Sequence, residues 1–163
     1  MMKINQRDRA GRTVLHYAVG DTRHDLQYIA AQTDPTLAAE NFRKNNEFKI
    51  ADTTKLLNEG ADVNAADFEG LTPLHAAAIR DSVDVVRILL EAGAGPNAAD
   101  NRGETALYKT VHNNTTPADV AIARLLREHG ADPHAQTSNG STPVEFVQRL
   151  GTPETREVFA DLL

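Results

Sequence analysis

DFEGLTPLHAAAIRDSVDVVRILLEAGAGPNAA, residues 67–99, restarts at Asp100 as DNRGETALYKTV, residues 100–111. Gly70 and Gly103 are 33 residues apart, and so are Thr72 and Thr105. Downstream, REHGADPHA (127–135) echoes LEAGAGPNA (90–98), and SNGSTPVEF (138–146) echoes FEGLTPLHA (68–76). Upstream, RAGRTVLHYA (9–18) and NEGADVNAAD (58–67) supply the two ends of an earlier unit. Self-similarity at a fixed period of this length means a stack of supersecondary units, none of which can bury its apolar face alone.

The spacing within a unit predicts two helices and a turn. Thr13, Thr72, Thr105 and Thr142 stand where a first helix starts and can cap its free N–H groups. Pro73 and Pro143 take the first helical position, where a missing N–H leaves no hydrogen bond unmade. Leu74, Ala77 and Ala78 form an i, i+3, i+4 stripe, and the small Ala residues allow a short inner helix to approach its neighbour. Val85, Val86, Leu89 and Leu90 give the second helix a broader apolar face. Gly11, Gly70, Gly103 and Gly140 mark the turns between units. A last helix opens at Thr152-Pro153 and carries Val158, Phe159 and Leu162 as the apolar face of a C-terminal cap.

The 33-residue period with Thr72-Pro73-Leu74-His75-Ala76-Ala77-Ala78, and the Gly60–Asn64 tail, resembles the ankyrin repeat. The resemblance implies an all-α solenoid of paired antiparallel helices joined by β-turn or hairpin connections, about four units in one domain over 1–163. Unit one is expected at 5–66 with a helical insertion at about 21–46, unit two at 67–99, unit three at 100–136, and a capping unit at 137–163.

Three departures stand out. Gly11 to Gly70 spans 59 residues, 26 more than one period. The excess holds two helical pieces, HDLQYIAAQ (24–32) and PTLAAENFRKNN (35–46), because a structureless insertion that long is unusual in a compact domain. It is expected to pack at one end of the stack, as a cap or as a specificity element. Gly103 to Gly140 spans 37 residues, and Tyr108 stands where unit two has His75.

Composition narrows the function. The chain has 163 residues, 40% of them apolar and 25% charged, as in soluble globular chains. It has no Cys, which excludes disulfides and thiolate metal sites. The net charge of −6 opposes non-specific nucleic-acid binding. No apolar run reaches the roughly 20 residues of a membrane span, and MMKINQRDRAGR at the start lacks a signal-peptide core. A cytoplasmic chain, monomeric on its own and bound to neither membrane nor nucleic acid, is expected.

No catalytic constellation emerges. There is no Gly-x-Ser-x-Gly elbow, phosphate-binding loop or His-Glu-x-x-His spacing. No catalytic residue, cofactor or metal is therefore expected, and the chain is read as a binding protein and not an enzyme. His16 and His75 occupy the His of Thr-x-Leu-His, which the resemblance makes structural.

The resemblance places partner binding on a concave face of turn tips and first helices. The candidates are Arg9 and Arg12 in the first turn, then Phe68, Glu69 and Leu71 in the second, and Asn101, Arg102 and Glu104 in the third. Ile79 and Arg80 end one inner helix, and His112 and Asn113 end the next. Phe68, Leu71 and Ile79 are apolar where the repeat needs no core residue, and flanking Arg residues complete the usual make-up of a hot spot. The partner is expected to be another protein. The short chain with irregular inserts is also similar to ankyrin-type immunity proteins that neutralise a bacterial toxin domain. An adaptor or scaffold subunit of a regulatory complex is the alternative.

Overall fold

The computed structural model describes residues 4–20, 35–80, 82–113 and 116–163. These form a solenoid of α-helices in two layers. The inner layer holds α1 (Val14–Gly20), α3 (Pro73–Ile79), α5 (Ala106–Asn113) and α7 (Pro143–Leu150). The outer layer holds α2 (Pro35–Asn58), α4 (Val83–Glu91), α6 (Pro117–Glu128) and α8 (Pro153–Val158). Each inner helix packs on the next inner helix, and each outer helix on the next outer one. The connections are turns, with one isolated antiparallel bridge between Ala99 and Thr105 among the described residues.

The core follows the apolar stripes. Leu15, Leu74 and Leu107 line up along the inner layer, and Val86, Leu89, Ile122 and Leu126 along the outer, all buried. Each such aliphatic side chain contributes roughly 1.5–3 kcal/mol by leaving water. Ala77 and Ala78 are fully buried, which lets neighbouring inner helices approach closely. Phe159 closes the C-terminal end, buried beneath the Arg127 guanidinium at 5.2 Å from its ring centroid.

Of the two expected helical pieces of the insertion, the second falls within the described residues. HDLQYIAAQ (24–32) lies outside the described residues. Residues 35–46 are helical, and they run without a break into the outer helix of unit one. The resulting α2 has 24 residues, about 36 Å at 1.5 Å per residue. Asn46 fixes its height: its amide donates to Asp84 (3.0 Å) and accepts from the Ser82 hydroxyl (3.1 Å) at the start of α4. The eleven residues 35–45 therefore project past the start of α4, by roughly 16 Å.

The threonine caps divide into two kinds. Thr105 and Thr142 accept from the N–H three residues on, that of Tyr108 (3.2 Å) and Glu145 (3.3 Å). At Thr13 and Thr72 a histidine three residues on joins the cap. The N–H and hydroxyl of Thr72 both meet His75 Nδ1 (3.1 and 2.9 Å), and those of Thr13 meet His16 Nδ1 (3.1 and 3.0 Å). The imidazole does what Glu or Gln does in a capping box. With Nδ1 accepting, Nε2 carries the proton and donates across to the next unit. His16 reaches the Leu71 carbonyl at 2.9 Å, and His75 the Glu104 carbonyl at 3.1 Å.

A second rail of cross-unit bonds runs along the other edge. Asn64 donates to the Gly93 carbonyl (3.2 Å) and accepts from Gly95 N–H (2.8 Å). Asn97 repeats this with Gly130 (2.9 Å) and Asp132 (2.7 Å), and Asn5 with Gly60 (3.2 Å) and Asp62 (2.8 Å). Both rails stop in unit three, where Tyr108 and His134 take the His and Asn positions.

Candidate functional site

The residue after the bridging histidine does not enter the core. Its column along the inner layer is Tyr17, Ala76, Lys109 and Phe146. Three residues further on, on the same helix faces, stand Gly20, Ile79, His112 and Arg149. These two columns and the turns frame two grooves.

The first groove, about 410 Å³, lies between α1 and α3. Tyr17, Leu71, Ala76 and Ile79 form its apolar part, and Arg12, His16, Asp67 and Arg80 its polar part. Ala76 makes the depression, since its neighbours in the column are large. The second groove, about 280 Å³, lies between α3 and α5 and is lined by Ile79, Arg102, Glu104, Tyr108, Lys109, His112 and Asn113. Ile79 belongs to both, 40% exposed on the ridge between them.

Much of the charge here is already paired. Arg12 Nε meets Asp67 Oδ2 at 3.3 Å, and that carboxylate is nearly buried at 2% side-chain exposure. Lys109 Nζ sits between Asp100 Oδ2 (2.7 Å) and Glu104 Oε2 (2.6 Å). Burial works against the Lys109 ammonium, but hydrogen bonds to the two carboxylates outweigh it and hold its pKa above the usual lysine range. Burial likewise opposes Asp100 ionisation, and the hydrogen bonds from Lys109 and from the Glu104 and Arg102 N–H groups together overcome it. Arg80 and Arg102, by contrast, are exposed and make no ion pair among the described residues.

Lys109→Met should therefore destabilise the stack by about 2 kcal/mol at pH 7, since it leaves Asp100 buried without its cation. Urea unfolding at pH 7 and pH 4 checks this. The loss should shrink at pH 4, where Asp100 without the lysine takes up a proton, and an equal loss at both values would contradict the ion-pair account.

The structure brings together eight of the twelve side chains singled out from sequence: Arg12, Leu71, Ile79 and Arg80 around the first groove, and Arg102, Glu104, Asn113 and His112 with Ile79 around the second. Of these, the His112 ring is engaged with Phe146 (5.0 Å between centroids) and Tyr108 (6.0 Å). Phe68 lines neither groove. It is 68% exposed and lies over Gly11 of the preceding turn, with its N–H on the Ala10 carbonyl at 2.9 Å. Asn101 uses its side chain on the Phe68 carbonyl (2.8 Å) and its N–H on the Glu69 carbonyl (3.0 Å), joining adjacent turns. Arg9 and Glu69 are exposed on the turn tips, away from both grooves.

Sequence reasoning did not single out Tyr17, Lys109 and Phe146. The available signal was positional: all three stand four residues after the unit's Thr, in Thr13-x-Leu15-x-Tyr17, Thr105-x-Leu107-x-Lys109 and Thr142-x-Val144-x-Phe146. Tyr17 is 44% exposed and donates its hydroxyl to Asp8. Among the described residues no cluster of His, Asp and Glu is arranged to hold a metal, and no helix is long and apolar enough to cross a membrane.

Residues 36–137 match the family model described as ankyrin repeats, three copies. The chain is 37% identical over 93 residues to the Caenorhabditis elegans ankyrin repeat and LEM domain-containing protein 1 homolog, covering 57% of this chain and 11% of that protein. It is 39% identical over 102 residues to the Bos taurus mitochondrial disaggregase (63% and 14%) and 33% identical over 112 residues to the Xenopus laevis neurogenic locus notch homolog protein 1 (64% and 4%). The chain thus spans no more than 14% of the length of any of these three relatives.

Proposed function

Because this chain belongs to the ankyrin-repeat family, whose repeats are general protein–protein interaction modules, we propose that it binds one partner protein through the inner-helix face and its flanking turns. The observation that carries this reading is the pair of adjoining grooves with Ile79 exposed on the ridge between them. An exposed aliphatic residue between Tyr17, Leu71 and two arginines has the make-up of a binding hot spot. Arg9, Phe68 and Glu69 form the outer rim of the same proposed face.

Capture of a partner from native-host lysate tests the reading, with the wild type beside a Tyr17→Ala/Ile79→Glu variant. Both positions are exposed, so the variant should keep its thermal stability. It should lose binding by about 30-fold or more, the size of one hot-spot truncation. Undiminished binding would move the interface off this face.

Two finer forms of the function separate by the captured partner. An immunity protein would hold a toxin domain one to one, and its production would rescue growth of cells making that toxin. An adaptor would appear within a larger stable assembly, and the toxin would still kill. The surface chemistry common to both forms is what the binding variant addresses.

A further inference from the structure

The two grooves differ from the rest of the molecule in their free charge. The whole chain carries −6. Among the described groove residues the acids are already engaged: Asp67 with Arg12, and Glu104 with Lys109, an ammonium it shares with Asp100. One exposed guanidinium without an ion-pair partner among the described residues is left at each groove, Arg80 at the first and Arg102 at the second. Ile79 stands between them, exposed and apolar. An acidic chain thus presents two exposed guanidinium groups flanking an apolar ridge on the face proposed to bind.

From this complementarity we infer that the occupant is a linear protein segment with an aliphatic or aromatic side chain flanked by carboxylates. The apolar side chain enters the depression over Ala76, against Ile79 and Leu71. The carboxylates meet Arg80 and Arg102, whose planar guanidinium matches a carboxylate in a two-point contact. A basic segment would meet the same two cations, while the described groove acids Asp67 and Glu104 already face Arg12 and Lys109, and unlike charges across an interface are what steer association.

The inference rests on the proposed binding face, and the test separates the two. The probe is a phage-displayed library of random 12-residue peptides selected on the full chain. Peptides with two Asp or Glu residues around an apolar one should be enriched. They should bind Arg80→Glu/Arg102→Glu at least tenfold more weakly, and binding should weaken as salt is raised. Enriched peptides that are basic or neutral, lost on Tyr17→Ala/Ile79→Glu but kept on the charge reversal, would overturn the acidic class and leave the face standing. Peptides indifferent to both variants would overturn both readings. No enrichment would overturn the linear segment, and lysate capture would then decide the face alone.

Discussion

Gly70→Ala should lower stability by about 3 kcal/mol or more, while Gly140→Ala, the same change one turn from the end, should cost only about 1 kcal/mol. Both glycines have a left-handed backbone, with φ of +81° and +78°, so alanine is strained at either. The difference lies in what surrounds them. A Cβ on Gly70 would stand 2.9 Å from the backbone N and Cα atoms of Asn101 and Asp100, closer than real contacts allow. Asn101 cannot retreat without losing its bonds to the Glu69 and Phe68 carbonyls. A Cβ on Gly140 meets nothing within 4 Å. In a chain of this size each kcal/mol shifts the midpoint by about 2–4 °C, so thermal melts of the two variants should separate by several degrees. Equal shifts would mean that the turns do not transmit packing from unit to unit.

His75→Ala should be the larger single loss, about 4 kcal/mol. The buried ring leaves a cavity, and the Thr72 N–H loses its partner, an orphaned group costing about 1–3 kcal/mol, while the Glu104 carbonyl loses the cross-unit bond and keeps only the Asp100 N–H. The same histidine makes stability depend on pH. Burial holds the His75 and His16 imidazoles below their ordinary pKa, because the neutral ring is the one that fits. The unfolded chain, with pKa near 6.5, then binds protons that the folded chain does not. Stability from these rings is present in full above about pH 6.5 and is lost as the pH falls from there toward the folded pKa, by up to about 1.4 kcal/mol per pH unit for each proton. Urea unfolding between pH 5 and 8 should show this slope in the wild type and a shallower one in His75→Ala. An unchanged slope would assign the pH dependence to other groups.

The fold was legible because repetition restates each local signal. Thr72-Pro73-Leu74-His75 says helix start once, and Thr142-Pro143 says it again at a matching place. The full extent of α2 was not legible, because residues 35–58 carry no strong apolar stripe to distinguish an insertion from an outer helix. The site was legible in part. Ile79, Arg80 and Arg102 could be placed from the register, as none of these positions is needed for the core of its unit. Asn101 and Lys109 could not be judged that way. What a polar side chain is free to do depends on neighbours one repeat away, such as the Phe68 carbonyl for one and the Asp100 carboxylate for the other. Tyr108 shows the same limit from the other side: its substitution for histidine is plain in sequence, but its packing against Phe146, with ring centroids 6.4 Å apart, is not.

The two hydrogen-bonded rails have an implication for how the stack yields. In a nearest-neighbour description of a solenoid, each junction has its own coupling strength, and the weakest one sets where the array divides. The junctions of units one with two and two with three each have a histidine bridge. The junction of units three and four has Tyr108 in its place, and keeps the Ser138 N–H to Arg102 carbonyl bond (2.8 Å), the Arg127–Asp161 pair (2.6 Å) and apolar packing. Under load or dilute denaturant the molecule behaves as a tight front segment with a detachable tail. Both grooves lie in the front segment, so the binding surface stays assembled while the tail frays.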